Sequence, residues 1–269
     1  VAYRFNVARA SIGAAIAAWC LGILVPVAPV RAGDALPLEM AAAAFKPYLL
    51  EQISRCLNTV KSMSERIAAH DLVGAQQSWL AARSDWEGSE VITNEFFPDL
   101  DRKIDAWPDA EKGFHAIEAK LFGAHDVQVQ PAAEELISNL TEFERELRAA
   151  TLTAQGLLNG AAKLIYEVGE NKAEGGESPF SGNSLAEMRV NVASVAAAYE
   201  RVFAPLTKKR NTELAKLVSK DLAVMQGLVA VPTLQELDQL RLRDASETLA
   251  NDLALVAREA GLQKPNLGN

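Results

Sequence analysis

Three stretches place side chains that can bind cations at spacings that let them meet. In 113-GFHAIEAKLFG-123, His115 and Glu118 fall about one turn apart on one side of a helix. In 86-WEGSE-90, Glu87 and Glu90 repeat the i,i+3 spacing, with Arg83 one turn upstream as a possible counter-charge. Between them, 99-DLDRKID-105 crowds Asp99, Asp101 and Asp105 into one segment, the last two sharing a face if it is helical. Pooled, these residues form a carboxylate-dominated donor set with a single imidazole. Such a set suits iron, manganese, copper or zinc better than a pure oxygen cage for magnesium.

Spacing alone is weak, because His-x-x-Glu arises easily by chance in a glutamate-rich chain. Helix position says more. At 100° per residue, Glu118 lies about 40° from both Phe114 and Phe122, on the apolar face. An ionised carboxylate there is costly unless it is paired or metal-bound; the plainer alternative is a partly exposed rim glutamate. Glu90 likewise falls within about 40° of Trp79 and Trp86 if one helix carries all three. The alternative there is a buried Arg83 salt bridge that leaves no room for an ion. His70 and His125 flank loops, and no His-Glu-x-x-His occurs, so the two-histidine zinc site of helical metallopeptidases is missing and no enzyme is expected.

The elements that must position these residues read as helices throughout. Helical period runs over roughly 38–69 with a disturbance at Pro47, then 72–94, 99–106, 109–122, 131–155, 157–172, 184–204, 206–229 and 233–260. Asp71 can cap the second, and Pro131, Pro205 and Pro232 sit near helix starts. The long polar interruption 173-AEGGESPFSGN-183 reads as a loop inside one bundle. The expected fold class is all-α, an antiparallel helical bundle over residues 33–269.

Residues 1–32 read as a cleaved signal peptide: Arg4 and Arg9 precede the apolar run 12-IGAAIAAWCLGILVPVAPV-30, and Val30-Arg31-Ala32 offers a cleavage pattern. Cys56 is then the one remaining cysteine, a small buried hydrophobe on a helical pattern, and the lack of further thiols argues against a structural zinc site. Losing Arg4, Arg9 and Arg31 takes the formal charge from -8 to -11. That balance argues against nucleic acid and anionic membranes as partners and suits cations.

The ordered series 86-WEGSE-90, 99-DLDRKID-105 and 113-GFHAIEAKLFG-123, followed by 175-GGESPFSGNSLAEMRVNVASVAAAYERVFAPL-206, resembles the imelysin-like family. Within that family it is most similar to the EfeO/EfeM group of iron-uptake proteins. The resemblance covers most of the chain after residue 32. It implies an imelysin-type bundle, a periplasmic location, and a metal site of Glu87, Glu90, Asp101, His115, Glu118 and Glu177, with Asp105 and Arg83 as secondary candidates. It implies iron as the ion, with copper or zinc as alternatives, and an inner-membrane iron permease and other uptake-system components as partners. The chain resembles the short form without a cupredoxin-like domain, and Ala106-Trp107 stands where an Arg often follows the Ile-Asp pair. Members of this form also resemble a binder of the acidic polysaccharide alginate. Here that reading would need a bridging metal or the one basic cluster, Lys208-Lys209-Arg210.

Overall fold

The computed structural model describes residues 32–105 and 112–267, with side chains from residue 37 onward. The expected leader, Cys20 within it, and Ala106-Trp107 lie outside the described residues; Ala32, the leader's last expected residue, is where the first helix begins. All regular elements among the described residues are helical.

Helix α1 (Ala32–Ala68) is continuous through Pro47 instead of being disturbed there, because Phe45, Leu49 and Ile53 on its inner face are all fully buried and hold both halves against one core. The next helix, α2 (Leu72–Glu87), starts where Asp71 accepts a hydrogen bond from the Gly74 amide at 2.9 Å. It stops at Gly88-Ser89, short of the expected residue 94. Glycine is a poor helix former, and the Ser89 hydroxyl donates to the Trp86 carbonyl at 2.7 Å, closing the turn. The remainder forms α3 (Glu90–Phe96) and α4 (Pro98–Ile104), split by Pro98.

Helix α5 (Gly113–Glu118) opens on a glycine with φ +67° whose Cβ would lie 2.1 Å from the Ile104 carbonyl oxygen. That close approach brings His115 beside the end of α4. Residues Ala119–Gly123 continue α5 as a π-helical turn, and similar turns extend α7 (Ala154–Glu167) over Val168–Lys172 and α8 (Ser184–Ala198) over Tyr199–Phe203. Between α5 and α7 runs α6 (Gln130–Ala149), with Pro131 in its first turn. The expected 206–229 helix is two: α9 (Ala204–Arg210) and α10 (Thr212–Val229), separated by Asn211, whose side chain caps the second by accepting from the Leu214 amide. The last, α11 (Gln239–Ala260), starts later than residue 233, after a 3-10 turn at Leu234–Glu236, where Asp238 caps it; it ends on left-handed Gly261.

The helices surround one continuous apolar core. On one side α1 packs on α2 and α6; on the other α7 and α10 pack on α11, and α8 lies between, touching α2, α3, α7 and α10. The α3–α7 crossing is tight, because a Cβ at Gly160 would sit 2.0 Å from the Val91 carbonyl oxygen. We expect Gly160→Ala to cost about 1–3 kcal/mol in denaturant unfolding, since backbone must move to admit the methyl; an unchanged midpoint would mean that α3 slides freely.

Candidate metal centre

Four elements and one loop meet around Arg83. This side chain is fully buried and reaches four carboxylates: Nη2 is 2.5 Å from Glu87 Oε1 and 3.1 Å from Glu177 Oε1, Nη1 is 2.7 Å from Asp105 Oδ2, and Nε is 3.3 Å from Glu187 Oε1. Its guanidinium also stands 5.6 Å from the Phe114 ring centroid. Trp86 donates its indole N–H to Asp105 Oδ2 at 3.0 Å, which orients that carboxylate.

A second cation lies among the same acids. Lys172 Nζ is 3.0 Å from Glu87 Oε2, 2.7 Å from Glu90 Oε2 and 2.9 Å from Glu177 Oε1. From another side the Asn191 amide donates to Glu87 Oε2 at 2.8 Å and Glu90 Oε2 at 2.9 Å. Oxygens of Glu87, Glu90, Asp105 and Glu177 thus all lie within 4.8 Å of one another, a spread that a single cation could span. Glu177 Oε2 is buried without a hydrogen-bond partner among the described residues. A cleft of about 230 Å³ opens onto the group, lined in part by Glu90, Asp101, Asp105, Glu167, Lys172 and Glu177.

The electrostatics follow from this packing. Burial opposes charge on Glu87, but Arg83 and Lys172 outweigh it and hold its carboxyl below the usual range. Burial likewise opposes charge on Asp105, and there Arg83 and His115 prevail, holding its carboxyl well below that range. Glu90 goes the other way: burial and the neighbouring Glu87 push it well up against the pull of Lys172. Burial also lifts Glu177 to about 7 and Asp101 to about 6. The cluster therefore mixes firmly ionised carboxylates with two that hold protons readily.

The structure separates the residues that the sequence grouped. Glu87, Glu90 and Glu177 come together, and Asp105, expected only as a secondary ligand, joins them. Asp101 lines the cleft wall outside that group. Arg83 sits inside the cluster as a bridging cation. His115 is one contact removed: its Nε2 is 2.8 Å from Asp105 Oδ1 and its Nδ1 is 3.7 Å from Glu118 Oε2. Burial opposes its charge, yet Asp105 and Glu118 raise its pKa to about 9, so the ring is an imidazolium at neutral pH and donates to Asp105.

Glu118 is occupied by the protein itself. Its Oε1 accepts from the Ser181 amide at 2.8 Å, the Ser181 hydroxyl at 2.7 Å and the Phe180 amide at 3.2 Å. The costly carboxylate on the apolar face thus has its partner in the 173–183 loop, and that loop carries Glu177 into the cluster.

Sequence reasoning missed Lys172, Glu187 and Asn191. The last two had a signal: they are one turn apart on α8 among the buried Met188, Val192 and Val195, the same anomaly that marked Glu118. Lys172 had none, because the π-helical turn that swings it inward shifts the register on which periodicity depends.

The comparisons with known proteins agree with this architecture. The profile of the imelysin family (Peptidase_M75) matches residues 41–260. The chain is 25% identical over 264 residues to "Iron uptake system component EfeM" of Pseudomonas syringae pv. syringae, covering 90% of this chain and 92% of that protein. To "Iron uptake system component EfeO" of Yersinia pseudotuberculosis it is 26% identical over 255 residues, covering 87% of this chain and 67% of that one. Among solved structures, an iron-regulated protein A precursor from Parabacteroides distasonis superposes with a TM-score of 0.68 at 18% identity, over 84% of this chain and 95% of that chain. The bundle, the order of its acidic segments and the extent of the family match together place the chain in the imelysin family.

Proposed function

We propose that this protein is a periplasmic component of an iron-uptake system that holds an iron ion in the cleft through Glu87, Glu90, Asp105 and Glu177, for handover to an inner-membrane permease. The observation that carries the reading is the set of four carboxylates whose oxygens lie within 4.8 Å of one another. Carboxylates are hard, anionic oxygen donors that suit hard cations and give copper and zinc none of the nitrogen or sulfur they favour; the choice of iron among such cations comes from the relatives. The names of the EfeM and EfeO relatives support the same cargo. In this reading His115 and Glu118 act behind the ligands: His115 orients Asp105, and Glu118 anchors the loop that supplies Glu177. Binding without catalysis is the proposed activity. The alginate reading gains no support from the basic triplet, which ends α9 with Arg210 donating to the Glu259 carbonyl, away from the elements that build the cleft.

Anaerobic calorimetric titration of the metal-free protein with Fe(II), beside Mn(II), Cu(II) and Zn(II), tests this. One ion per chain is expected, with protons released on binding. The sign follows from the raised carboxyls: Glu177 near 7 and Glu90 well above its ordinary value must lose protons to ligate, so affinity falls as pH drops from 8 to 6. No heat and no proton release with any of these ions would overturn the metal site.

A further inference from the structure

We propose that Lys172 is the resident counter-ion of the cleft and that an incoming metal ion must displace it; this rests on the reading of the cluster as a metal site. Lys172 Nζ donates to Glu87 Oε2 at 3.0 Å and Glu90 Oε2 at 2.7 Å, and is ion-paired with Glu177 Oε1 at 2.9 Å. These are three of the four carboxylates that would ligate the ion. Metal–oxygen bonds are about 2.0–2.6 Å long, so an ion approaching those oxygens from the cleft would overlap Nζ. Occupancy by lysine and by metal is mutually exclusive.

Of the polar donors crowded around these acids, Lys172 is the one built to leave. Arg83 is fully buried and tied to four carboxylates, and Asn191 also donates to the Glu87 backbone carbonyl at 3.2 Å. Neither lines the cleft, whereas Lys172 does. It is the last residue of the π-helical turn and directly precedes the 173–183 loop, on a flexible four-carbon stem. Glu167 and Asp101 on the cleft wall offer acceptors for the displaced ammonium.

Two consequences follow. A cation enters only if it binds the carboxylates better than an ammonium already held by three of them, which sets a threshold against weakly bound ions such as Mg²⁺. In reverse, the returning ammonium helps to expel the ion when a partner draws it off. Lysine thereby exchanges some affinity for selectivity and release.

The experiment is calorimetric titration of wild type, Lys172→Met and Lys172→Arg with Mn(II), Fe(II) and Mg(II). Removing the competing charge should tighten Mn(II) and Fe(II) binding roughly ten- to hundredfold and admit measurable Mg(II), while Lys172→Arg should not tighten it. Unchanged or weaker binding by Lys172→Met, with normal binding by wild type, overturns the displacement and leaves the metal site standing. Absence of binding to every protein overturns the metal site itself. Should Lys172→Met fail to fold, acetic anhydride labelling of the wild type read by mass spectrometry decides. Lys172 should be protected in the metal-free chain and acetylated once Mn(II) is bound; equal labelling in the two states overturns the displacement.

Discussion

Glu177→Ala is expected to weaken iron binding by about a hundredfold or more, equivalent to roughly 3 kcal/mol, while the helices stay intact. Glu177 comes from a loop and not from a helix, so its removal breaks no backbone ladder. Its Oε1 serves Arg83 and Lys172, so the substitution removes an oxygen that Lys172 would vacate for the ion. His115→Ala should lose only about tenfold, the usual scale for a group that orients a ligand from behind. Calorimetry on the two variants side by side separates a site in which His115 ligates directly from one in which Asp105 stands between. If His115→Ala is the more damaging change, the ring turns onto the metal in the loaded state and the proposed ligand set is wrong.

Arg83→Met should be the most destabilising single change in the cluster, by about 3–5 kcal/mol in denaturant unfolding, as expected when one member of a buried ionic network is removed. For a chain of this size that corresponds to a fall in Tm of roughly 10 °C. The cause is the four carboxylates left behind: Glu87 and Glu187 are fully buried, and Glu187 has no ion pair with Lys172. These acids can answer by taking up protons, so the loss should be larger at pH 8 than at pH 6. Arg83→Met with Glu187→Gln should recover part of it, because the second change removes a charge that Arg83 neutralised. If Arg83→Met unfolds at the wild-type midpoint at both pH values, the network is electrostatically neutral in effect and its proposed role in holding the acids together fails.

Much of the architecture was legible from local chemistry. Helical period, the Asp71 cap and the prolines at 131 and 205 are properties of neighbouring residues, and they foretold an all-α bundle and several of its starts, whereas Pro232 precedes only the 3-10 turn at Leu234–Glu236 and the helix begins at Gln239. The apolar-face position of Glu118 foretold that it needed a partner. Where boundaries were missed, at Gly88-Ser89, Asn211 and Leu234–Glu236, the periodic apolar pattern runs across a short break that backbone conformation and capping impose, so the pattern alone does not mark it.

By itself, then, the sequence determined which acids were available and that several of them faced inward, since burial of a charged side chain follows from its place in an amphipathic period. Only the tertiary structure decided which of them meet. The partner of Glu118 is a loop 62 residues downstream, Glu177 lies 94 residues from Arg83, and Lys172 reaches Glu87 across 85 residues. Contacts at such separations depend on how helices cross and where π-helical turns rotate a side chain, and single-helix periodicity carries neither. The same packing turned His115 toward Asp105 and filled the cluster with two cations. It made a group of carboxylates into a balanced site that an ion would enter by exchange.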